Sequence, residues 1–530
     1  MAFSLSDLIG KDLVWLLDLS FAGETFYLSK DHEEGTFDGT TYGYRPGLDW
    51  GGVLEDQIDL LTDAPSPNQV SLTLYLQDLI DVPQAVADGH DLAAATGRLY
   101  LWARGTAERL LIIDGRVTDP SYGSSSQPVT LGLEENAFDD RALFPPALAQ
   151  ITSTTWPSAR DSVDLERYPW IFGHPGDGAI YGSPGLWINT DTLLIAGHPV
   201  TTGTGNTVVV RNSTDATSLT PTITASEDGL GLDVTVVDIS AMSGSDEEDE
   251  YWIEWSTSGA GGIATHDGTV CRGAGDVLRF MMEQSAVRWD QGRIAAIVPA
   301  LNLYKIDCAI VASPARRFSP LQWIREQLVP ILPISARQGP EGLYFALFRY
   351  DASAADAIDS IDVQLLEASR EGAVAYSSPD EIANEIRLSY APYAKEDKPA
   401  RTFVLTGDDE TLAQNSKAVS NLACRISRDR FGLREKEVTA SAIYDKPTAG
   451  RICHWLASAY ALPSRTIAYS AAPKYGYLAP GDVVTLTDEE IAATDLVCLV
   501  DSVTWSEQGS VGLILRAIDN PARETFQCNP

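Results

Sequence analysis

The segment YLAPGDVVTLTDEE, residues 477–490, places a Pro-Gly turn directly before a strand-forming run. Pro480 and Gly481 predict a tight turn, because proline fixes φ and glycine accepts a positive φ. The following residues alternate between the two faces of an extended chain: Val483, Thr485 and Thr487 on one, Val484 and Leu486 on the other. A period of two predicts a strand with one packed face. We expect Asp482 to accept backbone N–H groups within the turn, a structural role and not a catalytic one.

The regions at both ends of the chain share this strand-rich texture. Residues 361–530 contain further runs of strand length: NEIRLSYAPY, RTFVLTGD, REKEVTASAI, SRTIAYSAA, LVCLVDSVTWSE and VGLILRAID. One helix interrupts them, KPTAGRICHWLASAYAL, in which Ile452, Trp455, Leu456 and Ala459 recur at helical spacing. Residues 1–178 contain similar short runs, and only LIDVPQAVADG indicates a helix. Residues 1–178 are therefore predicted to form a closed or nearly closed antiparallel β-domain, and residues 361–530 a second strand-rich domain.

Two regions of different texture lie between these ends. Residues 179–265 are rich in Thr, Ser, Gly and Val and predict a small inserted domain resembling a β-sandwich. Residues 266–360 predict an α+β domain, in which Asp276 caps one helix and Ser319, followed by Pro320, caps the next. The run GLYFALFRYD then predicts a strand. The expected fold class is mainly β with an α+β middle region, consistent with roughly three to four domains for this length.

Composition limits the possible partners. The net charge is −36, so the average surface repels nucleic acid, whose phosphates bind clustered Lys and Arg. The charge fits simple solubility, and it also fits a surface that must not hold DNA passing by; the sequence leaves both open. No apolar run approaches the ~20 residues needed to span a bilayer, and no signal peptide is predicted. The six cysteines are scattered without a CxxC pair, which predicts reduced, buried thiols.

The sequence predicts no catalytic, cofactor or metal site. Ser183 lacks the glycine of a nucleophile elbow two residues before it. Cys271 beside Arg272 could have a lowered pKa, but no base is near it in sequence. His454 is expected to pack beside the apolar face of its helix. The carboxylate pairs 134–135 and 139–140 and the triplet 408–410 lie in turn-like segments. The run SGSDEEDE, residues 243–250, lacks the ligand spacing of a calcium loop.

Several segments, in their order along the chain, resemble phage tail hub proteins, the trimeric baseplate component below the tail tube. In the C-terminal third the similar pieces are ANEIRLSYAPY, NSKAVSNLACRISRDRFGLREKE, YDKPTAGRICHWLASAYALPSRTIAY, the opening segment and VCLVDSVTWSEQGSVGLILRAID. Near the N-terminus they are VSLTLYLQDLI, LYLWARG, LLIIDGRVTDPSYG and PVTLGLEENAFDD. The resemblance covers most of the chain except about 180–265 and is one of pattern and order, without a single diagnostic motif.

This resemblance implies a non-enzymatic structural protein of the virion, located at the tail tip after assembly in the host cytoplasm. Two barrels akin to tail-tube subunits in each of three copies would form a ring of six. The implied partners are two further copies, a distal tail protein, a tape measure protein, and a tail tip or central fibre protein. DNA would pass through the acidic lumen without specific binding, and the chain would not insert into a membrane.

Two other interpretations remain open at this stage. One is a β-rich carbohydrate-binding or carbohydrate-degrading protein that uses residues 179–265 as a glycan module. Its aromatic residues would come from WPSARDSVDLERYPWIF, residues 156–172, together with Tyr181 and Trp187. The other is a distal tail or spike component of the same machine.

Overall fold

The computed structural model confirms a mainly β protein built from several sheets. It describes residues 12–50, 54–57, 69–135, 142–176, 180–202, 207–242, 248–255, 260–264, 268–311, 318–339, 341–365, 368–396, 398–415, 418–506 and 510–518. None of the helices within these ranges is long and apolar enough to cross a membrane.

The N-terminal region forms one nine-stranded sheet. Its elements in chain order are β1 (Leu13–Phe21), β2 (Glu24–Ser29), β3 (Glu33–Phe37), β4 (Thr40–Pro46), β5 (Leu48–Asp49), β6 (Leu54–Gln57), β7 (Gln69–Leu74), α1 (Val82–Ala87), β8 (Thr96–Ala103), β9 (Arg109–Ser121) and β10 (Val129–Glu135). The strand order is β3-β4-β2-β1-β8-β9-β10-β7-β5, and β6 pairs elsewhere. Most neighbours are antiparallel, while β2 and β4 are parallel. The helix expected in LIDVPQAVADG is confirmed as α1.

The next region is built around a seven-stranded sheet, with order β16-β15-β19-β12-β13-β18-β17. Its elements are β11 (Trp170–Phe172), β12 (Ser183–Asn189), β13 (Thr192–Ala196), β14 (Thr201–Thr202), β15 (Val209–Asn212), β16 (Thr217–Leu219), β17 (Ile223–Glu227), β18 (Asp233–Asp238), β19 (Tyr251–Glu254) and β20 (Ala260–Gly261). Alternate residues of β13 enter two cores, Leu193 one and Leu194 the other. Ala149 and Tyr168 of the preceding segment complete the second core.

Helices dominate the middle of the chain. The elements are α2 (Ala274–Gln284), α3 (Gln291–Leu301), β21 (Cys308–Ile310), α4 (Pro320–Gln327), β22 (Ile334–Gly339) and β23 (Gly342–Leu347). The cap expected at Ser319 is confirmed, because its side chain accepts the Gln322 N–H at 3.1 Å. The cap expected at Asp276 is wrong. Helix α2 begins after Gly273, and the side-chain oxygen of Asn302, at the end of α3, accepts the Asp276 N–H at 3.1 Å.

The last region contains two sheets and three helices. Its elements are β24 (Asp359–Asp362), β25 (Ala368–Arg370), β26 (Ala375–Tyr376), β27 (Glu385–Tyr393), β28 (Lys398–Thr406), α5 (Asp409–Gln414), β29 (Ala418–Ser420), α6 (Leu422–Phe431), β30 (Glu435–Ala440), α7 (Lys446–Tyr460), β31 (Arg465–Ala471), β32 (Val483–Asp488), β33 (Ala493–Trp505) and β34 (Val511–Ala517). One sheet has the order β24-β32-β33-β34-β31-β25, with β26 beside β31 and β6 beside β33. The other has the order β29-β28-β27-β30.

The first and last sheets share a single hydrophobic core. Leu17 and Leu99 of the N-terminal sheet belong to the same buried cluster as Leu486 and Leu515 of the C-terminal sheet. The ring of Trp15 contacts that of Trp505 edge-on, with centroids 6.2 Å apart. Strand β6 also crosses from one region to the other by pairing with β33. The two ends of the chain therefore form one packed unit.

A second core joins the middle helices to the four-stranded sheet. Met281 of α2 and Ile324 of α4 belong to the same buried cluster as Leu388 of β27 and Ile452 of α7. Packing thus links residues 385–461 to the middle of the chain. The four-domain division expected from the sequence stays a prediction.

Candidate functional site: a groove between the middle region and the C-terminal sheet

The turn before β32 is held by its own side chain and backbone. Gly481 has φ +91°, the left-handed conformation that favours glycine. A Cβ at Gly481 would lie 3.0 Å from the Leu347 carbonyl oxygen, so the close approach to β23 also favours glycine. The Asp482 carboxylate accepts the Ala479 N–H at 2.7 Å, which confirms the expected structural bond.

Strand β32 is packed on both faces where it begins. Val484 and Leu486 enter the core shared by the two end sheets, as the alternation predicted. Val483 is also buried, because it packs with Tyr344 and Ala346 of β23 on the opposite face. The expectation of one packed face therefore fails at Val483, because the β22–β23 hairpin covers this end of the strand.

A groove of about 1260 Å³ runs beside this turn. Its walls come from α3, β23, the residues that follow β23, α7 and the turn at 479–483. Ionisable side chains along it include Arg293, Arg349, Arg451, His454 and Asp482. A cleft containing groups with shifted pKa values is the usual form of a candidate active site, so the geometry of these groups decides its character.

The ionisable groups of the groove do not form a reacting pair. Burial raises the pKa of Asp482, whose carboxylate accepts only the Ala479 N–H among the described residues. Burial lowers the pKa of His454 to about 4, and no hydrogen bond joins it to Asp482. Arg451 donates to the Leu303 carbonyl at 2.7 Å, and Arg349 pairs with Asp356 at 2.9 Å. These bonds hold Arg451 and Arg349 against the walls of the groove.

Ser183 and Cys271, the two residues that the sequence offered as possible nucleophiles, are both buried among packed or hydrogen-bonded neighbours. Ser183 is fully buried and accepts the Trp255 indole N–H at 2.8 Å. The lowered pKa considered for Cys271 is wrong, because burial raises the pKa of this thiol. The neighbouring Arg272 instead pairs with Asp307 at 2.7 Å. The five described cysteines are buried and form no disulfide with one another, and Cys528 lies outside the described residues.

The described members of the carboxylate clusters lie at a helix cap, at a strand end and in a side-chain hydrogen bond. Asp408 caps α5 by accepting the Thr411 N–H at 2.9 Å. In the run SGSDEEDE, residues 243–247 lie outside the described part of the chain, while Asp249 accepts a bond from Asn212 at 2.6 Å. The pair 139–140 is likewise outside it, and 134–135 ends β10. Within the described ranges no three His, Cys, Asp or Glu side chains gather where they could hold a metal ion.

The aromatic residues considered for a glycan site are mostly packed. Trp187 is buried in the core of the seven-stranded sheet, and Tyr168 is fully buried. Trp156 donates to the Tyr168 hydroxyl at 3.0 Å. Trp156, Trp170 and Tyr181 are partly exposed, and Tyr181 stacks on Trp252 with 5.9 Å between ring centroids. Most of the aromatic side chains considered for a glycan site therefore contact other side chains of the protein.

Sequence reasoning missed two buried ion pairs that join distant segments. Asp307 is 1% exposed; besides Arg272, it accepts the His174 N–H at 2.8 Å. Asp501 pairs with Arg516 of the adjacent strand at 2.8 Å. The second pair could have been predicted from the sequence, because Asp501 and Arg516 each lie within an apolar strand. A charge that is buried in such a strand is rarely left unpaired.

Part of the chain matches a known protein family by sequence. Residues 326–503, about a third of the chain, match a family described as "Putative phage tail protein". The matched range begins near the end of α4 and includes the four-stranded sheet, α7 and the turn at 480–482. Compared by sequence, none of the curated proteins matches.

Solved structures of tail proteins resemble the chain distantly. A tail protein from Neisseria meningitidis MC58 is 10% identical, with 95% of this chain and 96% of that chain covered and a TM-score of 0.37. The 43 kDa tail protein of prophage MuSo2 from Shewanella oneidensis is 10% identical, with coverages of 95% and 98% and a TM-score of 0.33. A chain from the virion of a native gene transfer agent particle is 15% identical over 47% of this chain and 83% of that chain, with a TM-score of 0.19.

Proposed function

We propose that the chain is a non-enzymatic structural component of a bacteriophage tail, a homotrimeric hub at the tail tip. The match of residues 326–503 to a family of tail proteins carries this proposal. The same range contributes most of the lining of the groove, in which Arg451 and Asp482 are hydrogen-bonded to backbone groups, and this supports a role in assembly.

The shared core supports a geometric role for the two end sheets. Because both sheets pack into one buried cluster, each chain presents two sheets as a rigid pair. Three copies would place six sheets around an axis, which matches a six-fold tube above to a three-fold tip below. The partners proposed on either side are a distal tail protein, a tape measure protein, and a tail tip or central fibre protein.

The charge supports a channel that does not retain DNA. The chain carries 74 acidic and 38 basic side chains, so a lumen lined by it repels phosphates. Binding of nucleic acid depends on clustered Lys and Arg, and many of the arginines here are paired with carboxylates, as Arg516 is with Asp501. DNA would therefore slide past without a specific contact.

The mass of the purified chain and its images test this proposal. Light scattering after gel filtration is expected to give three times the chain mass, and negative-stain class averages are expected to show a three-fold ring. Antibody against the chain should label one end of the tail in intact virions. A monomer at micromolar concentration, or label along the whole tail, would contradict the hub assignment.

A carbohydrate-active protein is the second interpretation and receives less support. Tyr168, Phe172 and Trp187 are buried, so half of the aromatic rings considered for this site cannot stack on sugars. A glycan array together with an assay for polysaccharide release separates the two functions. Release of reducing ends by the purified chain would favour the enzyme.

A further inference from the structure

Strand β30 has one unpaired edge. It is the last strand of the four-stranded sheet and pairs in parallel with β27 alone. The Glu385 N–H donates to the Arg434 carbonyl at 3.0 Å, which fixes the register of the ladder. In a parallel ladder, alternate residues direct their backbone groups to opposite edges. The N–H and C=O groups of Glu435, Glu437 and Thr439 therefore point away from β27, where no described strand pairs with them.

A cavity of about 310 Å³ lies along this edge. Four consecutive residues of β30, from Lys436 to Thr439, line it. Since consecutive side chains of a strand point to opposite faces, a cavity lined by all four lies beside the strand and not over one face. Its other walls include Pro330, Phe348 and Leu456, which are mainly apolar. The open backbone therefore faces a space bounded by apolar side chains.

The two faces of β30 differ in chemistry. Glu435, Glu437 and Thr439 are exposed on one face. Glu435 pairs with Arg387 of β27, whereas no described cationic group lies within ion-pair distance of Glu437. On the other face, Lys436 lies over the ring of Tyr460, and Val438 is partly buried in the core of the middle helices. A strand placed beside β30 would thus meet carboxylates on one face and an apolar surface on the other.

We propose that β30 binds an extended segment of a partner protein, which adds to the sheet as a fifth strand. The segment alternates cationic and apolar residues. Its Lys or Arg side chains would face Glu437, the carboxylate of this face that is not already paired with Arg387. Opposite charges across neighbouring strands stabilise the pairing. Its apolar side chains would enter the cavity beside Val438, while main-chain hydrogen bonds to the free edge supply affinity, as in other cases of strand addition.

Charge argues against a second copy of this chain as the occupant. Pairing β30 with the same strand of another copy brings Glu435 and Glu437 near identical residues, and like charges on adjacent strands are destabilising. Charged residues are also a common protection of edge strands against self-pairing. The occupant is therefore a different polypeptide with positive charge. This inference rests on β30 alone and does not depend on the tail assignment.

Binding of defined peptides to the full chain tests the inference. The probe is a fluorescent nine-residue peptide of alternating Lys and Val with blocked ends, and the control replaces each Lys by Glu. Anisotropy is expected to show binding of the Lys peptide at least tenfold tighter than the Glu peptide. Glu437→Lys should weaken the Lys peptide about tenfold, because it replaces an attraction by a repulsion.

The variant Glu437→Pro isolates the backbone contribution. Its missing N–H faces the free edge, so the β27 ladder keeps its bonds, while Lys436→Pro would remove a ladder bond. Glu437→Pro should abolish peptide binding, and Glu437→Thr should retain most of it. Circular dichroism and hydrogen exchange of β27 verify folding of each variant. Unchanged binding by Glu437→Pro and Glu437→Lys, equal binding of both peptides, or self-association of the chain through β30 without peptide binding would overturn the proposal.

Discussion

The turn at 480–482 gives the sharpest test of a structural role for Asp482. We compare Asp482→Ala and Asp482→Asn with the natural chain. Alanine removes the acceptor of the 2.7 Å bond from the Ala479 N–H, whereas asparagine keeps an oxygen in its place. The matched control is Asp78→Ala, since Asp78 is exposed and its carboxylate receives no hydrogen bond from any described residue.

The expected magnitude follows from the type of hydrogen bond. A hydrogen bond to a charged group contributes about 1.5–3 kcal/mol, so Asp482→Ala should lower the free energy of unfolding by that amount. A neutral acceptor is roughly half as strong, but asparagine no longer buries a charge. Asp482→Asn should therefore stay within about 1 kcal/mol of the natural chain, and Asp78→Ala within about 0.5 kcal/mol.

The pH dependence of the free energy of unfolding tests the role of Asp482 independently. Burial raises the pKa of Asp482 in the folded chain. A raised pKa contributes stability that is present below the unfolded value of about 3.9 and is lost as pH rises through the folded value. Asparagine does not titrate, so the stability of Asp482→Asn relative to the natural chain should increase as pH rises above about 4.

Native-state hydrogen exchange of peptides that cover β32 measures this local stability in a chain with several cores. Equal protection in Asp482→Ala and Asp78→Ala would refute the reasoning, as would an Asp482→Asn variant as unstable as Asp482→Ala. A variant with normal protection of β32 but no assembly or other function would show instead that the carboxylate has a chemical role.

Three further predictions concern buried packing. Gly275→Ala should lower the melting temperature, because the added Cβ would lie 2.5 Å from a backbone carbonyl oxygen of α3. In the control Gly292→Ala the added Cβ would meet no atom closer than 3.4 Å, so the melting temperature should stay the same or rise. Burial lowers the pKa of His198 to about 4, so thermal stability should fall as pH drops from about 6.5 to 4, and His198→Gln should flatten that slope. The buried thiols should resist iodoacetamide in the native chain, and mass spectrometry should find them labelled only after unfolding: Cys271, Cys308, Cys424, Cys453 and Cys498.

The sequence determined those features whose causes lie within a few residues. The cap at Ser319 and the turn at Pro480–Asp482 follow from side chains that bond their own backbone neighbours, and both are confirmed. The mainly β class follows from period-two alternation repeated along both ends of the chain. The helices α1 and α7 were likewise readable from local spacing.

Tertiary structure alone decided which buried faces meet. Asn302 reaches the start of α2 from another helix, so no local pattern around Asp276 could identify the cap. Periodicity shows that Leu486 and Leu17 are buried, but it does not show that they share one core. The free edge of β30 is equally hidden, because strand order depends on contacts between residues far apart in sequence. A local hydrogen bond is encoded by residues a few positions apart. A buried apolar side chain, by contrast, can pack against many suitable apolar partners, and only the folded chain determines which of these partners it meets.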